Sequence, residues 1–320
     1  MTTITLADID FLGTGLQRCE CVLTTRSGDI FMSDKRGGVS IIRSSGATEL
    51  LLAKNPPENF LPNGIALLPD RSFLIANLGP SGGVFHLSTD GTLSPYILEF
   101  NGKPLPPTNF VSIDKAGRTW VTVSTKLVPR EQSMHKGYGD GFILVSDEKG
   151  VRLVADGLGF TNEAVIDPTS KWLYVNETIA RCTSRFLIQP DGSLGEREVY
   201  SQYGAGTWPD GLTFDSEGGL WIVSVVSNRV IRTRPDGHQE IILEDSDPEW
   251  LDVCEQAFQN NTFSRQLHFD SGGKRKLGNI SSIGFGGSDL KTVYLGSLFN
   301  SQLAKFKSEI SGALPVHWDF

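Results

Sequence analysis

Short apolar runs, each closed by a cluster of Gly, Asp, Asn or Ser, recur along the whole chain. The clearest case lies at 207–223: Leu212-Thr213-Phe214, then Asp215-Ser216-Glu217-Gly218-Gly219, then Leu220-Trp221-Ile222-Val223. Two apolar runs joined by a Gly-rich turn predict a β-hairpin. Pro209, Asp210 and Gly211 form a turn ahead of the first run. Degraded copies of this unit align on the residue that precedes the first run: Glu20, Asn63, Asn109, Asn162, Asp210 and Ser281. Further apolar runs follow in each copy, at 28–33 and 38–42 in the first and at 72–76 and 83–87 in the second. The third and fourth copies carry theirs at 117–123 and 141–145, and at 171–175 and 184–188. In the fifth they fall at 229–233 and 239–243, and in the sixth at 292–296 and 302–306.

Successive copies start roughly 43 to 53 residues apart, with a longer step to the last, and about 40–50 residues is the unit of a four-stranded propeller blade. Six copies predict an all-β, six-bladed β-propeller of four-stranded antiparallel blades. A lone blade cannot bury both its faces, so residues 1–320 are expected to form one cooperative domain. Two stretches break the repeat. Residues 126–140 read as a polar loop inside the third copy, and 247–263 carry Trp250, Leu251, Cys254 and Phe258 near helical spacing. The second is expected to form a short surface helix. Loops this long in a compact fold are usually functional or disordered.

Composition narrows the function. The 320 residues carry a formal charge of −8, which argues against a nucleic-acid surface, since phosphate backbones need a basic patch. Four cysteines, Cys19, Cys21, Cys182 and Cys254, are too few for a disulfide framework and read as small buried thiols. No apolar run approaches the roughly 18 residues of a membrane span, and residues 1–15 show no basic start followed by an apolar core. The expectation is a cytoplasmic protein with a small-molecule partner.

The candidate chemistry lies in the aligned residue that changes from copy to copy. In a propeller the first strand of each blade lines the central channel, so the heads of these strands converge. All six residues bear side-chain oxygen, and Glu20 and Asp210 bring carboxylates. Short Asn, Asp and Ser are also common turn residues, whereas Glu is not. Oxygen-only donors suit a hard divalent cation, with Ca²⁺ expected first and Mg²⁺, Mn²⁺ or Zn²⁺ as alternatives.

These residues, together with Pro209-Asp210-Gly211-Leu212-Thr213-Phe214-Asp215 and Gly219-Leu220-Trp221, resemble the SMP-30/gluconolactonase/LRE family over nearly the whole chain. The resemblance implies a six-bladed propeller with one divalent metal held by Glu20, Asn162 and Asp210. It also implies that Asn109 contacts substrate or metal-bound water. Two departures stand out: Glu20 is followed by Cys21-Val22 where the family often reads Glu-Gly-Pro, and the third-blade Arg-x-Asn-Asp reads Pro107-Thr108-Asn109-Phe110. The arginine that grips substrate hydroxyls in the family is therefore absent, as is the following Asp. A less polar lactone or ester is expected rather than gluconolactone, with Trp208, Phe110, Phe160 and Phe299 as candidate pocket walls.

The leading expectation is metal-dependent opening of a lactone or related cyclic or aryl ester. The metal polarises the carbonyl while Asp210 acts as ligand and general base. His135, in the 126–140 loop, is a candidate proton shuttle or substrate contact. No Gly-x-Ser-x-Gly elbow is present, against a serine hydrolase. Two alternatives are a Ca²⁺-binding propeller without turnover, and the same scaffold with other chemistry such as phosphoester hydrolysis.

Overall fold

In the computed structural model, which describes residues 4–320, six four-stranded antiparallel sheets form the blades of a propeller. Blades one to five each run in chain order from the channel outward, and the inner strands are Val22–Thr24, Pro62–Leu67, Thr108–Ile113, Thr161–Ile166 and Trp208–Phe214. The sixth blade holds Ile280–Gly286, Thr292–Ser297 and Leu303–Lys307, and its outermost strand is Asp10–Leu12 from the other end of the chain. Asp10 pairs with Lys305, Phe11 with Ala304 and Leu12 with Leu303. The ring is thus closed by backbone hydrogen bonds between its two ends.

Burial explains why the second strands read as unbroken apolar runs rather than alternating ones. Leu220–Val225 is buried at every position, because both of its faces pack against neighbouring blades. The outermost strand Thr48–Leu52 is only half-buried. Each junction between blades has its own apolar cluster: Leu74, Ala76 and Val84 of the second blade meet Val111, Val121 and Val123 of the third. Tyr174 of the fourth meets Phe214 of the fifth edge-on, with ring centroids 4.9 Å apart.

The two stretches outside the repeat behave differently from each other. The expected helix forms at Pro248–Gln259, with Asp247 capping the Trp250 amide and Pro248 at its first turn. The 126–140 loop is ordered around a 3₁₀ turn, Arg130–Ser133. The two insertions meet: the Lys136 amide donates to Asn261 Oδ1 at 3.0 Å, and Lys136 Nζ to Gln259 Oε1 at 2.6 Å. Met134 joins Cys254, Ala257, Phe258 and Phe263 in an apolar cluster over the heads of blades four and five. All four cysteines are free and buried.

The far end of the channel is different. The inner strands end there around an apolar cavity of about 140 Å³ lined by residues such as Leu67, Ile113, Ile166 and Phe214. The C-terminal tail covers it, with the Ala313 amide bonded to Phe214 O and Arg71 to Phe320 O. Among the described residues, no helix is long and apolar enough to cross a membrane.

Candidate metal and active site

Five of the six aligned residues lie inside their strands, not ahead of them. Asn63, Asn109, Asn162, Asp210 and Ser281 each sit where the inner strand slips register against its neighbour, between Pro62 and Ile65, Thr108 and Phe110, Thr161 and Ala164, Pro209 and Leu212, and Ile280 and Ser282. A β-bulge re-aims the extra side chain, which is how a strand that buries both faces can still offer a polar group to the channel. The first blade has no bulge, and Glu20 stands two residues before Val22. Its longer side chain makes up the reach.

Close approach of the blades at this level needs glycine. A Cβ on Gly211 would lie 2.6 Å from Ser282 Cα, and one on Gly64 would lie 2.6 Å from Phe110 Cα. That second contact gives the physical reason for Phe110 in the third blade. Its ring packs over Gly64 and joins the apolar cluster with Cys21, Ile65 and Phe85, so the position serves blade packing.

A belt of hydrogen bonds runs from blade to blade. Arg18 Nη2 donates to Asn63 Oδ1 at 3.0 Å, Asn63 Nδ2 to Asn109 O at 2.8 Å, and Asn109 Nδ2 to Ser124 Oγ at 3.1 Å. Ser124 Oγ donates to Thr161 O, Asn162 Nδ2 to Thr178 Oγ1 at 3.1 Å, and Thr178 Oγ1 to Pro209 O at 2.8 Å. Asn176 Nδ2 supports Asp210 O at 2.9 Å. The belt fixes Asn162 by its nitrogen and leaves its oxygen without a partner, whereas Asn63 Oδ1 is taken by Arg18 and Asn176 Oδ1 by Thr183.

Three buried oxygens are left over: Glu20 Oε2, Asn162 Oδ1 and Asp210 Oδ1 accept no hydrogen bond, and Ser281 Oγ also lacks a partner. A buried acceptor without a partner costs about 1–3 kcal/mol, more when charged, so Asn162 Oδ1 and Asp210 Oδ1, on different blades, need an explanation. Glu20 Oε2 does meet the Arg18 guanidinium in an ion pair. Oxygens of this kind, two anionic and one neutral, fit a hard divalent cation. Asn109 differs from the three, since its Oδ1 lies 3.5 Å from Asn63 Nδ2. Burial, then the charge of Glu20, raises the Asp210 carboxyl well above its ordinary range.

The remaining sequence candidates differ in burial and partners. Trp208 is fully buried, stacked on Phe263 with centroids 5.1 Å apart and covered by Arg181 at 4.3 Å. Phe110 and Phe160 are buried, whereas Phe299 is exposed. His135 is exposed on the 126–140 loop.

Four groups near this head were not singled out from sequence. Glu163 is buried directly behind Asp210, accepts from the Leu212 amide at 3.3 Å, and is pushed toward its neutral form by burial and then by Asp210. Arg18, Arg130 and Arg265 act electrostatically on Asp210. The signal for Arg18 was its place two residues before Glu20. Arg130 and Arg265 sit in segments with no repeat to align on.

Known proteins agree with this architecture. The profile of the SMP-30/Gluconolactonase/LRE-like region matches residues 21–244. A 6-deoxy-6-sulfogluconolactonase of Pseudomonas putida is 26% identical over 218 residues, which span 67% of this chain and 62% of that relative's length. A calcium-binding regucalcin from Agrobacterium tumefaciens superposes with a TM-score of 0.72 at 17% identity, covering 100% of both chains. A gluconolactonase from Xanthomonas campestris does so with a TM-score of 0.67 at 17% identity, covering 92% of this chain and 87% of that one.

Proposed function

The chain belongs to the SMP-30/gluconolactonase/LRE-like family, and on that footing we propose that it is a lactonase acting at the head of the channel. In this reading Glu20, Asn162 and Asp210 hold one divalent cation, Ca²⁺ first among the candidates. The observation that carries the reading is the pair of buried oxygens without a partner, Asn162 Oδ1 and Asp210 Oδ1, together with Glu20, whose Oε2 meets only Arg18.

A cation held there supplies a Lewis acid for the lactone carbonyl. The rest falls to the chain's own residues. Asp210 takes a proton from the attacking water, the ring acyl C–O bond breaks, and the proton passes to the departing ring oxygen to leave a hydroxy acid. Asp210 is placed to touch both the cation and the water, and its role as ligand would favour its carboxylate form. Asn109, fixed through Ser124, orients water or substrate. Glu163 lies behind Asp210, and burial pushes it toward its neutral form. The Pseudomonas putida relative, named as a sugar lactonase, supports the substrate class, a small cyclic ester.

The test is lactone opening followed by acid release, on protein stripped with a chelator and then supplied with Ca²⁺, Mg²⁺, Mn²⁺ or Zn²⁺. The panel comprises aldonolactones, simple aliphatic lactones and an aryl ester. Activity that disappears on stripping and returns with one cation is expected. Turnover indifferent to the chelator overturns the cation site, and tight Ca²⁺ binding without any turnover favours the non-catalytic propeller. That second reading draws on the third blade, where Phe110 packs against Gly64 in place of a substrate-facing acid.

A further inference from the structure

Three arginines reach the channel head, and none of them occupies a repeated blade position. Arg18 lies on the left-handed turn before the first blade, with φ of 55°. Arg130 begins the 3₁₀ turn of the 126–140 loop, and Arg265 follows the helix of the second insertion. They act on one another as well as on the carboxylates: Arg130 is influenced by Arg265 and Arg18, and Arg18 by Arg265. Like charges gathered in a poorly solvated place destabilise each other unless negative charge answers them.

The protein answers only in part. Arg18 is paired with Glu20, and Arg265 Nε stands 3.8 Å from Asp270 Oδ1. Arg130 makes no ion pair among the described residues, and its Nη1 is buried with no hydrogen-bond partner. Its guanidinium lies over the Phe160 ring at 4.8 Å, a contact that sets the plane of the group. Burial and then Arg265 draw it down to about 9, which leaves it cationic at neutral pH. Asp270 Oδ1 is likewise buried without a hydrogen bond. Glu20 and Asp210 are the carboxylates a divalent cation would occupy, and once occupied they no longer answer the arginines. The head then carries a surplus of positive charge, concentrated at Arg130.

We propose that Arg130, assisted by Arg265 and Arg18, seats a negatively charged substituent of the substrate, so that the favoured lactone bears a carboxylate, sulfonate or phosphate. Guanidinium presents paired N–H donors that match two oxygens of such a group. The inference rests on the lactonase reading for the ring that is opened and on the cation site for the surplus of positive charge, whereas the unpartnered Arg130 Nη1 depends on neither. It also separates the two tasks in the fold. The blades carry the hydrolytic oxygens, and the two insertions, bonded through Lys136 and Asn261, carry the grip on the substituent.

The experiment compares lactones of one ring size bearing a carboxylate, its methyl ester, a sulfonate or a phosphate. Wild type should prefer the charged members, and Arg130→Gln should lower the ratio of kcat/KM for the carboxylate over its methyl ester by roughly 10- to 100-fold, the scale of one charge-assisted hydrogen bond. Arg130→Lys, which keeps the charge, should restore part of that ratio. An unchanged ratio in Arg130→Gln overturns the proposal. Titration calorimetry with a sulfonated tetrahydrofuran, which has no ester to open, tests the seat apart from turnover. Binding to wild type that weakens tenfold or more in Arg130→Gln supports the seat even if no lactone is hydrolysed. No binding at millimolar concentration, or equal binding by both proteins, overturns it.

Discussion

Two aspartates five residues apart do opposite work in the fifth blade. Asp210 is buried with an unanswered Oδ1, while Asp215 is buried and saturated, accepting from the Glu217 and Gly219 amides, from Trp221 Nε1 at 2.8 Å and from Arg232 Nε at 2.7 Å. The third blade repeats the second arrangement, with Asp114 holding Arg118 and Trp120 Nε1. Asp210→Asn keeps shape and one oxygen but removes the base, so kcat is expected to fall by roughly 10² or more and to stay low at saturating cation. Full recovery of turnover there would reduce Asp210 to a ligand. Asn162→Asp, which adds charge without moving the base, should tighten cation binding. Asp215→Ala should instead leave occupancy intact and destabilise the fold by about 3 kcal/mol, because it strips buried Arg232 of its shortest carboxylate contact. A denaturant midpoint matching wild type would refute that. The repeat frame marked Glu20, Asn63, Asn109, Asn162, Asp210 and Ser281 alike, and only the family resemblance set Glu20, Asn162 and Asp210 apart as ligands. Neither showed Glu163, whose environment is made by Gly211 and Leu212 from another blade.

At the scale of elements, the strands were legible and their irregularities were not. The apolar runs marked the second and third strands because both faces of each are buried. The bulges that turn Asn63, Asn109, Asn162 and Asp210 to the channel leave no mark in composition, so those residues read as lying before the strands. Spacing disclosed the helix at Pro248–Gln259, whereas the ordered course of 126–140 depends on partners more than a hundred residues away, Gln259 and Asn261. A loop held from outside is expected to set substrate choice. Shortening 126–140 should reorder the lactone panel while cation affinity, read by calorimetry, stays within about threefold, a change of ~0.6 kcal/mol. Loss of cation binding would make the loop a structural support of the site.

For the whole molecule, the two ends of the channel are chemically opposed, with charged and oxygen-rich groups at the head and an apolar cavity at the foot. His317 lies against that cavity, and burial pulls its imidazole down to about 4 from an ordinary 6.5. Between those values the unfolded chain takes up a proton that the folded one refuses. Stability should therefore be complete above about pH 6.5 and decline as the pH falls toward 4. His317→Asn should flatten that part of the profile, and parallel urea midpoints for the two proteins across pH 4–7 would disprove the assignment. The six-blade ring was readable because every blade repeats one buried pattern. Its closure was not, since Asp10–Leu12 is short, partly exposed and outside any copy.

That closure has a consequence for biosynthesis. The strand that seals the sixth blade, Asp10–Leu12, is made long before its partner, Leu303–Lys307. Glu20 follows the early strand by a few residues, and Asp210 comes much later. A nascent chain therefore holds the first pieces of the head long before it can assemble them, and the ring closes only after the sixth blade has been made. Cation uptake, if it needs the closed ring, follows the synthesis of the sixth blade and distinguishes a closed ring from an open one.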